Sequence, residues 1–189
     1  RTEKDEHRTL EIVRIGTCGG MQEDIPLGTF LVSEKSIGWD GVLAFYEGRD
    51  EIADLGFEDA LVDFIHYPAK AARPYVVAAN PELVNHIAGD DMMRGCTIAA
   101  NGFYGPQGRV LRCDLAVKDI NERITDFRYE GQRITNYEME GSAIAGLSLL
   151  MGHKAMTVCC VIAQRKVEAA NTDYKPRIKQ LVQTVLERI

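Results

Sequence analysis

Two glutamates, Glu138 and Glu140, stand two residues apart directly before a largely apolar stretch at residues 143–151. This spacing predicts that both acids open a helix, whose first backbone N–H groups have no partner within the helix and favour a nearby carboxylate. An acid pair in apolar surroundings is suited to holding hydroxyl groups. The alternative is a helix-start acid with a solvated neighbour.

A second candidate is the loop at residues 101–109, with the sequence NGFYGPQGR, which follows a predicted strand. Phe103 is one of its two aromatic residues and can stack on a ring. Gln107 offers both an acceptor and donors, and Arg109 offers a rigid fork of N–H donors. This composition predicts a site for a flat polar ligand. A surface turn with incidental polar residues is the alternative.

A third candidate is the segment RIGTCGG at residues 14–20. We expect a short strand at residues 12–16, followed by a turn whose glycines let backbone N–H groups approach an anion. Arg14 and Thr17 are therefore phosphate candidates. The segment lacks the GxGxxG and GxxxxGK[ST] spacings, so a plain turn at the end of a strand is the alternative.

The rest of the pattern supplies the elements that must position these residues. Apolar runs of strand length alternate with segments of helical period, and Asn80 and Pro81 form a helix start. Residues 47–54 are expected to be a surface loop. The predicted strands are residues 12–16, 29–37, 96–100 and 155–163, and further helices are predicted at residues 57–67, 81–89, 119–127 and 176–189. No repeat or linker interrupts this pattern, so it predicts one α/β domain.

Composition narrows the classes of function. The chain has 189 residues, of which 46% are hydrophobic and 26% charged, as in ordinary soluble proteins. Its apolar runs are shorter than the ~20 residues that span a membrane. A net charge of −6 without a basic cluster argues against nucleic acid or an anionic membrane as partner. The five cysteines lack metal-ligand spacing, so we expect a reducing, cytoplasmic setting and no metal.

In this order, the stretches RIGTCGG, NGFYGPQGR and NYEMEGSA resemble the nucleoside phosphorylase family, most closely its uridine phosphorylase branch. The resemblance implies a three-layer α/β/α fold with a central mixed sheet, of the phosphorylase/hydrolase-like type, over residues 1–189. It also implies a homodimer or a trimer of dimers. The implied reaction is reversible phosphorolysis of a uridine-type nucleoside, with inorganic phosphate as co-substrate and no organic cofactor.

Roles for individual residues follow from the same resemblance. Arg14 and Thr17 resemble the family's phosphate contacts, and Glu140 resembles the carboxylate that binds ribose hydroxyls. Gln107 and Arg109 resemble the residues that read uracil. The implied substrate-binding residues are Thr17, Cys18, Gly19, Phe103, Gln107, Arg109, Glu138, Met139 and Glu140, and the implied catalytic residues are Arg14, Arg109 and Glu140.

The resemblance further implies that the phosphate site is completed by a glycine-rich loop and arginines from an N-terminal part, one of them from a neighbouring subunit. This chain begins with a highly charged stretch, residues 1–8, and without a start methionine. We therefore expect additional N-terminal sequence in the native protein.

Three alternatives stay open at this point, namely a purine nucleoside phosphorylase, a nucleosidase that uses water, and a nucleoside-binding paralogue without turnover. Purine-specific relatives carry a Ser-Asp pair after the late strand to protonate the leaving base. Gln164 and Arg165 occupy that place here, which favours a pyrimidine. A glycosidase is a poor fit, because Glu138 and Glu140 are too close in sequence to flank a sugar from both sides.

Overall fold

The computed structural model describes residues 6–166 and 169–189. Strands in this part of the chain are joined by backbone pairing in the order β3-β2-β4-β6-β1-β7-β8, and β5 pairs with β6. Both parallel and antiparallel pairs occur, so the sheet is mixed. The strands are β1 (Glu11–Gly20), β2 (Phe30–Gly38), β3 (Tyr75–Ala78), β4 (Met92–Ala99), β5 (Arg128–Tyr129), β6 (Gln132–Glu138), β7 (Lys154–Gln164) and β8 (Ala169–Ala170).

The sheet also curls on itself, because the first part of β2 pairs antiparallel with β7. The pairings β2-β4-β6-β1-β7-β2 therefore form a ring. β6 and β1 meet at only two residue pairs, Gly19 with Tyr137 and Gly20 with Asn136. This contact brings the end of β6 beside the last residues of β1.

Helices pack on both faces of the sheet. Phe57 and Leu61 of α2 and Ile124 of α4 share a core cluster with residues of β2, β4 and β6. Leu83 of α3 and Leu181 of α6 pack against alternate residues of β7 in a second cluster. The helices are α1 (Arg49–Ile52), α2 (Leu55–Ile65), α3 (Pro81–Ile87), α4 (Ile120–Asp126), α5 (Gly141–Leu150) and α6 (Lys175–Glu187), with short 3-10 helices at Val42–Phe45 and Gly105–Gln107.

This arrangement confirms the predicted three-layer α/β/α fold with its central mixed sheet. The start of α3 is also as predicted, since the Asn80 side chain accepts a hydrogen bond from Leu83 N at 3.0 Å and Pro81 is the first helical residue. No helix in the described ranges is long and apolar enough to cross a bilayer.

The expected turn at residues 17–20 is wrong, because β1 continues to Gly20. Parallel pairing with β7 extends along the whole strand, with a register shift between Cys18 and Gly19, and β6 pairs with its last two residues. Tertiary pairing on both sides overrides the local preference of glycine for a turn. Residues 47–54, expected to be loop, include the single turn of α1.

The two acids stand at the start of a helix, as predicted, and the Glu138 carboxylate accepts from the first helical N–H group, that of Gly141, but neither acid is part of the helix itself. Glu138 is the last residue of β6, Glu140 is the N-cap of α5, and the helix begins at Gly141. β6 is held between β4 and β1 despite its polar sequence, QRITNYE. Gly152 adopts a left-handed φ of 71° just beyond α5, and β7 follows. The acids therefore belong to a strand-to-helix turn.

Candidate active site

All ten residues proposed from the sequence line one cleft, with a cavity volume of about 250 Å³. The last part of β1, the ends of β6 and β7 and the loop after β4 meet there. A cavity of about 380 Å³ behind the same loop contains none of those ten residues. The complete lining consists of Arg14, Thr17, Cys18, Gly19, Phe103, Gln107, Arg109, Tyr137, Glu138, Met139, Glu140, Ile162 and Ala163.

Glu138 is committed to holding the turn at one end of this cleft. Its side chain is fully buried, and its Oε2 accepts hydrogen bonds from the backbone N–H groups of Glu140 at 2.9 Å and Gly141 at 2.8 Å. Burial raises the pKa of Glu138, although Arg14 and these two N–H groups oppose the shift. Glu138 therefore has a structural role, because it fixes the backbone of the turn that carries Glu140.

Glu140 faces the cleft directly. Its side chain is 58% exposed and forms an ion pair with Nη2 of Arg14. In this position the carboxylate can accept hydrogen bonds from hydroxyl groups of a ligand once it leaves Arg14. The two acids thus have different environments, and the alternative of a helix-start acid with a solvated neighbour describes them better than a pair of acids in apolar surroundings.

Arg14 is surrounded by acceptors. Nη1 lies 3.1 Å from Oε2 of Glu138 and donates to Sγ of Cys159 at 3.2 Å, while Nη2 contacts Glu140. Burial lowers the pKa of Arg14, but Cys159, Glu138 and Glu140 outweigh this effect and raise it. Arg14 therefore carries its charge in the cleft, with half-buried Thr17 on the same wall.

The opposite end of the cleft is built around the side chain of Gln107, which is 4% exposed. Its Oε1 accepts from Arg109 Nη1 and from Arg165 Nη2, each at 2.6 Å. Arg109 also donates to the carbonyl of Phe103 and lies 3.7 Å above the centroid of that ring. Because two guanidinium groups fix the amide oxygen, the NH₂ group of Gln107 is left to face a ligand.

Arg165 does not line the cleft but holds Gln107 in place, and sequence reasoning did not propose it for the site. Its Nη1 donates to the carbonyl of Gln107 at 2.7 Å, and its Cζ lies 4.8 Å from the centroid of the Tyr137 ring. Burial and the nearby charge of Arg109 lower the pKa of Arg165 to about 10. The available signal was its place, two residues after a predicted strand, at residues 155–163, that leads towards the cleft.

Charge is distributed unevenly along the cleft. Glu138 and Glu140 surround Arg14 at one end. At the other end, no carboxylate within the described ranges forms an ion pair with Arg109 or Arg165. The arrangement is suited to a ligand with hydroxyl groups at one end and a ring that accepts negative charge at the other.

Comparison with known proteins decides the family. The model of the phosphorylase superfamily matches residues 5–188, almost the entire chain. The chain belongs to the phosphorylase superfamily. The resemblance seen in the three sequence stretches is therefore confirmed at the level of the family.

Curated relatives of this phosphorylase superfamily member include uridine phosphorylases. Uridine phosphorylase A of Schistosoma mansoni is 41% identical over 161 residues, which cover 81% of this chain and 47% of the relative. Uridine phosphorylase of Thermococcus kodakarensis is 25% identical over 155 residues, covering 81% and 48%. The chain thus spans about half the length of these relatives.

Solved structures show the same fold. A nucleoside phosphorylase of Trypanosoma brucei, described as showing uridine phosphorylase activity, aligns with a TM-score of 0.75 at 23% identity and covers 99% of this chain and 70% of its own. A uridine phosphorylase of Phytophthora capsici aligns with a TM-score of 0.68 at 16% identity, covering 97% and 66%. The α/β architecture is therefore that of the superfamily.

Proposed function

We propose that this protein catalyses the reversible phosphorolysis of a pyrimidine nucleoside of the uridine type, giving the free base and a pentose 1-phosphate. The observation that carries the proposal is the pair of guanidinium groups, Arg109 and Arg165, on the amide oxygen of Gln107. Gln107 and Arg109 line one cleft with Glu140 and Arg14, and Arg165 contacts Gln107 from behind this lining.

The end of the cleft that contains Gln107 and Arg109 is called the base end here. It matches uracil, which presents a carbonyl, an imide N–H and a second carbonyl along one edge. The NH₂ group of Gln107 donates to one carbonyl. Arg109 moves from Gln107 to the second carbonyl, and this movement frees one lone pair of Oε1 to accept from the imide N–H. Arg165 stays on Gln107 and keeps the amide in the plane of the base.

The sugar and the phosphate meet at the other end. Glu140 leaves Arg14 to accept hydrogen bonds from the pentose hydroxyls, and Arg14 and Thr17 bind the phosphate anion. A phosphate oxygen forms a bond to the anomeric carbon while the glycosidic C–N bond breaks, and the electron pair of that bond passes to the base. Positive charge that develops on the sugar lies near Glu140, and negative charge on the base lies near Arg109 and Arg165.

Selection of a pyrimidine is supported by Gln164. A purine leaving group needs a proton donor at this place, but the side chain of Gln164 is buried and already bonded. Its Nε2 donates to the carbonyls of Gln22 at 2.7 Å and Ile25 at 2.8 Å, and its Oε1 accepts from Lys166 N at 3.1 Å. Gln164 therefore has a structural role and does not act as a proton donor to a purine base.

Incubation of the purified protein with uridine, with and without inorganic phosphate, tests the proposal. Phosphate-dependent release of uracil is the expected result. Release without phosphate would show a nucleosidase, binding without release would show a paralogue without turnover, and preference for inosine would show a purine enzyme. The same proposal includes three further points. The protein needs no organic cofactor, it acts in the cytoplasm, and it forms a homodimer or a trimer of dimers.

A further inference from the structure

The side chain of Arg14 lies along its own strand, and its guanidinium group covers Gly16, two residues further on. A Cβ atom placed on Gly16 would lie 2.8 Å from Nη1 of Arg14 and 3.0 Å from Cζ and Nη2. The guanidinium group therefore occupies the space that any larger residue at position 16 would need. Only glycine leaves this space open.

The two strands that flank β1 each supply an anchor for the same nitrogen of Arg14. Nη1 lies 3.1 Å from Oε2 of Glu138 at the end of β6, and it donates to Sγ of Cys159 on β7 at 3.2 Å. Both anchoring side chains are fully buried. Nη2 instead contacts Glu140, whose carboxylate is largely exposed. One end of the guanidinium group is fixed within the protein, and the other faces the cleft.

We propose that Gly16 and Cys159 are positioning residues for Arg14 and thereby set the affinity for phosphate. Gly16 provides the space, and Cys159 holds Nη1 so that Nη2 is free to pass from Glu140 to the anion. A thiol suits this place because its sulfur is a weak acceptor that holds an N–H group with little neutralisation of the arginine. The inference rests on the proposed function, in which Arg14 contacts phosphate.

Substitution of Cys159, with Cys160 as the matched control, separates this role from general packing. Both cysteines are buried in β7, but Cys160 packs on the opposite face, in the cluster with α3 and α6. The affinity for inorganic phosphate is measured by calorimetry, and the KM values for phosphate and uridine are measured kinetically. Cys159→Ala should weaken phosphate binding by about fivefold or more, because a hydrogen bond to a charged group is lost. The KM for uridine should change by less than about twofold.

Two further variants complete the test. Cys159→Ser keeps an acceptor at this place and should recover most of the phosphate affinity, whereas Cys160→Ala should leave that affinity unchanged. In Gly16→Ala the new Cβ meets the flexible end of Arg14 rather than backbone, so the protein should fold and bind phosphate more weakly.

Equal phosphate affinity of Cys159→Ala and Cys160→Ala, or unchanged affinity in Gly16→Ala, would overturn the inference. So would an absence of phosphate binding by the unmodified protein. If that protein binds phosphate but releases no uracil from uridine, the proposed function fails, and the calorimetric series still decides whether Gly16 and Cys159 position Arg14.

Discussion

Nη2 of Arg165 lies 2.6 Å from Oε1 of Gln107, so a residue just after β7 fixes the amide of the loop after β4. A second bond, from Nη1 of Arg165 to the Gln107 carbonyl at 2.7 Å, holds the loop backbone as well. The geometry of the base end therefore depends on an arginine outside the loop.

Replacement of Arg165 by Met should lower kcat/KM for uridine by about tenfold or more, because two loop contacts and a positive charge near the leaving base are lost. Steady-state kinetics measures the effect. Arg73→Met is the control, since the Arg73 side chain is 54% exposed and lies in an ion pair with Asp59 outside the cleft. Equal activity of the two variants would remove Arg165 from the site.

Arg109→Met should keep an aliphatic side chain at this place but remove the N–H donors and the guanidinium group that lies over the Phe103 ring. We expect uridine phosphorolysis to fall by about tenfold and the preference for uridine over cytidine to narrow, because cytosine presents an amino group where uracil presents a carbonyl. The measurement is kcat/KM for uridine, thymidine, cytidine and inosine in both proteins. An unchanged uridine value would place the base elsewhere.

Glu140→Gln and Glu138→Gln should affect different properties. The exposed Glu140 should lose activity, by about one to two powers of ten, with little change in Tm, because a charge-assisted bond to the sugar is lost. Glu138→Gln should lower Tm clearly, because an amide NH₂ group would meet the N–H groups of Glu140 and Gly141. Thermal unfolding and uridine kinetics of both variants check this contrast, and the same Tm loss in both would contradict it.

The raised pKa of Glu138, which follows from burial, predicts a dependence of stability on pH. The folded protein binds a proton at Glu138 more readily than the unfolded chain does, so the stabilising contribution of the protonated form is lost as the pH rises through the raised pKa. Lowering the pH from neutral towards the ordinary titration range of a glutamate should therefore shift the Tm difference between the unmodified protein and Glu138→Gln in favour of the former.

Asp54 is a control for the pH dependence of stability, because its pKa is shifted in the opposite direction to that of Glu138. Burial acts to raise the pKa of Asp54, but Lys35 and the N–H group of Phe57 outweigh it and lower the pKa. Its contribution to stability is present at neutral pH and is lost as the pH falls through the lowered pKa, so the Tm advantage of the unmodified protein over Asp54→Asn should shrink on acidification. Shifts of the same sign in the Asp54 and Glu138 series would contradict this account.

The α/β class followed from the alternation of apolar runs with segments of helical period. The three-layer fold and the full set of residues that share the cleft followed because three short stretches resemble those of a known family. The boundaries of the elements were less accessible. Residues 17–20 lie in a strand because β7 and the end of β6 pair with them, and Glu138 lies in β6, where it pairs with Ala99 of β4. Pairing between distant segments leaves no local signal.

The roles within the cleft also required the structure. Glu138 and Glu140 are chemically identical in the sequence, and burial of one against backbone N–H groups separates their roles. The amide oxygen of Gln107 accepts a hydrogen bond from Arg165, which is 58 residues away along the chain. Such a contact follows from the sheet order rather than from spacing.

Trp39, the only tryptophan of the chain, contacts the ring of Tyr137 edge-on at 5.8 Å, and Arg165 lies on that same tyrosine ring. The indole is 3% exposed, so its light emission depends on the neighbouring protein groups more than on solvent. A ligand that shifts Arg165 or Tyr137 changes this environment. The chain therefore contains an intrinsic fluorescent reporter of the base end, which can be read without any added label.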